Sequence, residues 1–265
     1  MKFKRVFCFG CSYTEYIWPT WANILQKDLD IPVYNWGLCG LGNIGIHSRM
    51  VQCDIMNKFT SDDLIIVVWS SWTREDRWID GFWKHHGNLF NQSFYDQKFI
   101  DKYWDWENDI IKNSTAIISA NKMFDIAVNF SMVPMDNPKD VYIPDHVNLR
   151  TFEQGKQQEL LNFYYQSMPK FGNFQDIPNS KYNKSTTDSH PDINCHRDFL
   201  IQNLYPILGV SIKDSTLNDI QGFYSACQIQ LAKLNTNNWE EMKNCVKNLW
   251  SNGKWDRNRI ENIDI

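Results

Sequence analysis

The chain has 265 residues, 43% hydrophobic and 15% aromatic, with 12 tryptophans and a formal charge of −4. That length suits one large domain, or one domain with an appendage. The acidic balance lends no support to nucleic-acid binding, and no stretch approaches the ~20 apolar residues of a membrane span.

The first element expected is a buried strand over residues 3–9, within MKFKRVFCFG. Its apolar run is too short for a signal peptide. A helix follows over Pro19–Leu29, and VYNWG (33–37) makes a short second strand. Ile44, Met50, Val51, Ile55 and Met56 recur at helical spacing between Ile44 and Phe59. LIIVVW (64–69) is apolar without alternation, so both of its faces are buried, as in a parallel sheet. A further apolar run, FDIAVNFSMV, covers 124–133. Strands alternating with helices specify a doubly wound α/β domain, whose ligands bind at the carboxyl ends of the strands.

Two segments exceed that minimal alternation. Residues 72–106 hold a dense run of rings, including Trp72, Trp78, Trp83 and Trp104. With the residues to 122 they read as an insertion, either a lid over the strand ends or rings that extend the core. Residues 210–265 are polar and helical, so the division expected is an α/β domain over 1–209 and a helical C-terminal extension over 210–265.

Three short stretches carry chemistry. In FCFGCSYTEY (7–16), Gly10-Cys11-Ser12 stands where the first strand ends. A serine there is either a nucleophile at the sheet edge or a turn and capping residue. It is not the G-x-S-x-G elbow, because Thr14 occupies the fifth position. In TTDSHPDINCH (186–196), His190 follows an acid and precedes a proline. An acid at that range orients an imidazole and stabilises its cation. In NWGLCGLGNIG (35–45), Gly40, Gly42 and Gly45 fit G-x-G-x-x-G between a strand and a helix. The motif follows the second strand, however, and Asp62 and Asp63 precede the next strand instead of ending it. NAD binding is therefore a minor alternative.

Together the three stretches resemble the SGNH, or GDSL-like, hydrolases over about residues 3–208, and the pattern is similar to divergent members, some of them from tailed phages. The resemblance implies a flavodoxin-like three-layer αβα sandwich with a mostly parallel sheet, and ester or acyl-group chemistry that needs no cofactor and no metal. It places Ser12 as nucleophile and His190 as base, with His196 in the following helix. The N–H groups of Ser12 and Gly40 become oxyanion donors. Three positions depart from the family pattern. Cys11 replaces the aspartate of G-D-S. Thr187 stands at the usual acid position, with Asp188 one residue later. The G-x-N-D block is missing, so Ser71 falls where its asparagine would be. Charge favours Asp188 over Thr187 as the group that orients His190, because only a carboxylate stabilises an imidazolium.

Substrate contacts are expected from Cys11, Asn43, Trp72 and Arg74. The expected substrate is a small-molecule or carbohydrate ester. Acyl transfer at the same site and a non-catalytic binding module on the same scaffold are the alternatives. Cys8 and Cys11 form a C-x-x-C, but scattered cysteines of this kind read as reduced thiols of a cytoplasmic protein. His85-His86 lacks further ligands at metal spacing and reads as a solvated loop. Arg74 and Arg77 either hold an anionic group or form surface ion pairs.

Overall fold

The structure is a computed structural model that describes residues 3–79, 82–90, 95–132, 162–164, 166–173, 190–234, 239–252 and 255. The side chains of 78–79, 82–86, 106–107, 239 and 251–252 lie outside that description. In chain order the elements are β1 (Arg5–Gly10), α1 (Trp21–Asp28), β2 (Val33–Asn35), α2 (Asn43–Asn57) and β3 (Asp63–Trp69). A hairpin of β4 (Arg74–Ile79) and β5 (Phe82–Asn88) follows, then α3 (Gln97–Tyr103), α4 (Trp106–Met123), β6 (Ile126–Ser131) and β7 (Gly172–Asn173). The last described elements are α5 (Ile193–Phe199), a π-helical turn (Leu200–Leu204), α6 (Tyr205–Leu208), α7 (Asp214–Leu231) and α8 (Trp239–Asn252).

The main sheet runs β2-β1-β3-β6-β7 with every pair parallel. This is the doubly wound, flavodoxin-like order, with the chain reversing its direction of travel beside β1. The absence of alternation in β3 has the expected cause, since all seven of its residues are buried. Val6, Cys8, Leu64, Ile66, Val68 and Phe130 face one apolar layer, which α1, α5, α7 and α8 complete. Phe7, Phe9, Ile65, Val67 and Trp69 face the other, closed by α2 and α4. Period-two alternation therefore survives, but between two buried faces instead of a buried and a wet one.

The ring-dense segment divides. Trp72 joins the main core, whereas Leu89, Tyr95 and Ile100 form a small core of their own with Phe90, Phe99 and Trp104 against it. α4 belongs to the sandwich, because Ile117 and Ala120 pack beneath the sheet. The C-terminal helices also share the main core, through Ile220, Phe223, Cys227, Val246 and Trp250. The Trp78 and Trp83 rings of the expected lid lie outside the described residues. No helix among the described residues is long and apolar enough to cross a membrane.

The amino ends of β1 and β3 are locked by a forked ion pair. Arg5 Nε donates to Asp63 Oδ1 at 2.7 Å and Nη2 to Oδ2 at 2.6 Å. Thr60 adds its N–H at 2.8 Å. Burial alone would raise the Asp63 carboxyl, but the Arg5 and Thr60 donors outweigh it and hold the group below its ordinary range. A depressed carboxyl contributes stability above its unfolded-state value and loses it as the pH falls through the folded one. Asp63→Asn should lower stability at neutral pH by about 1–3 kcal/mol. In urea melts across the acid range, the gap to wild type should shrink as the pH drops below the usual aspartate range. A gap independent of pH would show that the pair is not the cause.

Candidate active site at the strand ends

β1 ends at Gly10, and residues 11–15 turn back over it. The N–H groups of Thr14 and Glu15 donate to the Cys11 carbonyl at 2.9 and 3.0 Å. Gly10 has φ +156, and a Cβ there would stand 2.1 Å from Thr14 Oγ1. Position 10 must lack a side chain so that Thr14 can pack against the strand end. Ser12 is carried on this turn and is 2% exposed. The next helix does not begin at once, since α1 starts at Trp21. Ser12 therefore does not sit on a helix N-terminus. Among the described residues, its hydroxyl meets only Cys11 Sγ, at 4.0 Å, and its N–H meets no acceptor.

The loop after β2 is stitched to that turn by Asn35, which is 5% exposed. Its Nδ2 donates to the Thr14 carbonyl at 2.8 Å, and its Oδ1 accepts from Gly37 N at 2.9 Å. Leu38 N donates to the Gly10 carbonyl at 3.0 Å. Gly40 follows in the left-handed region, at φ 89, and its N–H also has no acceptor among the described residues. Asn35 opens the N-x-G stretch in the sequence, yet its bridging role depends on where Thr14 lies and was not legible there.

His190 reaches the same turn from the far end of the chain. Its ring stacks on Tyr16 at 4.1 Å and 21°, with Tyr13 edge-on at 6.0 Å. Trp18 Nε1 donates to the Pro191 carbonyl at 2.8 Å, which holds the His190 segment against the loop. The Ser12–His190 hydrogen bond is not formed. Asp192 caps α5 by accepting from the N–H groups of Asn194 and Cys195. His196 is 1% exposed on that helix. Burial, and secondly the His190 charge, lower it to about 3, so it is neutral at physiological pH. Thr187 and Asp188 lie outside the described residues.

The remaining expected site residues are bonded within the fold around the strand ends. Cys11 is fully buried, and its thiol lies 3.3 Å from Met132 Sδ. Cys8 faces the opposite core layer, so the C-x-x-C is not a thiol pair. Ser71, half-buried, shares a 2.9 Å hydroxyl pair with Thr73 and accepts the Thr73 N–H at 3.3 Å. Asn43 makes no outward contact: Nδ2 donates to the Ser70 carbonyl and Asn113 Oδ1, and Oδ1 accepts from Ser70 N at 2.7 Å. Its amide fixes the end of β3 to α2, which corrects the expectation of a substrate contact. Trp72, at 1% exposure, is likewise core. Arg74 Nη1 donates to the Leu41 carbonyl at 3.2 Å, and Arg77 pairs with Glu75 at 2.9 Å.

The G-x-G-x-x-G glycines have an internal explanation. Asp76 reaches from β4 to the start of α2, where its carboxylate accepts from Gly42 N at 2.8 Å and Gly45 N at 2.7 Å. A Cβ on Gly42 would stand 2.7 Å from Asp76 Oδ2. The position a pyrophosphate takes in a dinucleotide fold is filled by the protein's own carboxylate. That observation removes the support the motif gave to NAD binding. Burial pushes the Asp76 carboxyl up, against the two N–H donors and the Arg74 charge.

No family model, curated protein or solved structure matches the chain.

Asp76→Asn keeps the size of the side chain but turns an NH2 toward one of two N–H donors. The variant should unfold with about 1–3 kcal/mol less stability in urea. Stability equal to wild type would show that the α2 amino end does not depend on this carboxylate.

Proposed function

We propose that the chain is a serine ester hydrolase of the SGNH kind, acting on an acyl or acetyl ester of a small molecule or carbohydrate. One observation carries the reading: the fold brings His190 onto the turn that bears Ser12, with the His190 ring 4.1 Å from Tyr16. In this mechanism Ser12 Oγ attacks the ester carbonyl and His190 takes its proton. The oxyanion draws on the N–H groups of Ser12 and Gly40. The alcohol then leaves with the imidazolium proton, and water repeats the sequence on the acyl-enzyme. Asp188 is the group proposed to orient His190. The Ser12–His190 bond closes when substrate is bound, as such bonds commonly tighten in the Michaelis complex. None of the seven cysteines, all among the described residues, is in a disulfide. That fits a reducing, cytoplasmic setting.

A second reading has its own support. Ser71 stands where the family has a rigid amide donor, and its hydroxyl is held by Thr73. A weakened oxyanion site favours a binding module on the scaffold, or slow acyl transfer, over rapid hydrolysis.

A fluorophosphonate probe separates the readings. The hydrolase reading expects labelling at Ser12 and turnover of p-nitrophenyl acetate. Ser12→Ala, with unchanged circular dichroism, should abolish labelling and cut turnover about a thousandfold or more. A folded wild type that takes no probe and cleaves neither model esters nor acetylated sugars would favour the binding module. Turnover that survives Ser12→Ala would remove Ser12 as nucleophile.

A further inference from the structure

We infer that Tyr16 is the positioning residue for His190: its ring is a platform that fixes the plane of the imidazole over the Ser12 turn. The inference rests on the hydrolase reading for its catalytic consequence, but not for the contact itself. Tyr16 is only 4% exposed, so its ring is itself held by packing. The two rings lie 4.1 Å apart and 21° from parallel, which is a stack and not a chance approach. Trp18 meets Tyr16 edge-on at 4.6 Å and 71°. Tyr16 is thus fixed between Trp18 and His190.

The backbone on both sides of the stack is pinned as well. Trp18 Nε1 donates to the Pro191 carbonyl at 2.8 Å, one residue beyond the imidazole. Thr20 Oγ1 donates to the Thr14 carbonyl at 2.5 Å. From α8, Trp250 Nε1 donates to the Ile17 carbonyl at 2.6 Å. One internal bond and two bonds to other parts of the fold, the Pro191 segment and α8, therefore fix residues 14–20, and that segment presents Tyr16 to His190. A C-terminal helix acts in this way on a loop more than two hundred residues earlier in the chain.

The consequence follows from the geometry of general-base catalysis. An imidazole free to tilt spends little time with a ring nitrogen toward a serine hydroxyl. A ring stacked on Tyr16 keeps one plane beside the turn that carries Ser12. Pro191 limits the backbone of His190 in the same sense. The phenol oxygen has no part in this role, so phenylalanine should replace Tyr16 and an aliphatic residue should not.

The test compares Tyr16→Phe, Tyr16→Leu and Trp18→Phe, each checked for fold by circular dichroism. In Tyr16→Leu, kcat for p-nitrophenyl acetate should fall between about tenfold and a hundredfold. KM should stay within about twofold, because the stack does not bind substrate in the ground state. Tyr16→Phe should remain near wild type. Trp18→Phe keeps a ring under Tyr16 but loses the bond to Pro191, and should fall between the two. The second readout is the His190 ring proton signals in NMR, assigned with His190→Ala. The Tyr16 ring current should displace them upfield in wild type and in Tyr16→Phe, and the displacement should vanish in Tyr16→Leu. Unchanged or faster turnover in a folded Tyr16→Leu would overturn the inference, since the stack would then park the imidazole and not position it. Equal losses in Tyr16→Phe and Tyr16→Leu would transfer the role to the hydroxyl and overturn it too. His190 signals indifferent to Tyr16→Leu would overturn it whether or not the protein proves to be a hydrolase. A wild type with no turnover and no fluorophosphonate labelling, but with the upfield displacement lost in Tyr16→Leu, would reject the hydrolase reading alone.

Discussion

The carbonyl of Thr14 accepts two hydrogen bonds, from Asn35 Nδ2 at 2.8 Å and from Thr20 Oγ1 at 2.5 Å. The rest of the strand-end architecture depends on that point being fixed. Thr14 can fold back over β1 only because positions 10 and 37 carry no side chain. A Cβ at Gly37 would come within 2.8 Å of the Thr14 side chain, as one at Gly10 would within 2.1 Å. Once Thr14 is seated, the turn sets Ser12 over the end of β1, Asn35 draws in the loop that carries Gly40, and the chain leaves toward Tyr16 and Trp18. His190 packs against Tyr16, and Trp18 binds the Pro191 carbonyl. Two glycines and one amide thus join the turn after β1 to the loop after β2.

A second fixed point operates by charge. The amino end of α2 presents unsatisfied N–H groups, as every helix does. Most helices meet this need with a capping side chain from their own sequence. Here Gly42 at the cap has no side chain, and the need is met by Asp76 from the β4–β5 hairpin. The glycines are required because the carboxylate comes so close. Asn43, one residue into the helix, then binds Ser70 and Asn113, which joins α2 to the end of β3 and to α4. The hairpin, the helix and the strand end are therefore one mechanical unit. A glycine pattern that in other settings admits a phosphate here admits an internal anion.

This explains which parts of the molecule were legible in the sequence. The apolar run of β3 and the helical spacing of α2 are local signals, and the elements lie within one or two residues of where those signals put them. The strand-end positions of Gly10, Ser12 and Gly40 follow from the same signals. Asp76 was not legible as a cap, because it stands 34 residues from Gly42 in sequence and nothing local marks it. The ring-dense segment concealed a hairpin, since Trp78, Phe82 and Trp83 are too few and too irregularly spaced to mark a strand period. The C-terminal helices look polar in sequence. Trp250 and Trp255 nevertheless bury themselves in the main core, and one indole nitrogen is enough to tie that region to the Ser12 loop.

The two histidines at the amino end of α5 complete the electrostatic picture. A base that accepts a proton in a half-buried site is penalised by any like charge nearby. His196 is the nearby titratable group of the same kind, and its low value of about 3 has burial as its first cause and the His190 charge as its second. At neutral pH it is uncharged, so an imidazolium at position 190 would meet no repulsion from it. Reciprocally, a proton on His190 makes protonation of His196 harder still. Burial thus keeps the second histidine uncharged at neutral pH. Asp192, spent on the α5 N–H groups, holds the two residues on either side of one helix start. Position 190 precedes that start and stacks on Tyr16, and position 196 lies within the helix and is buried in the core.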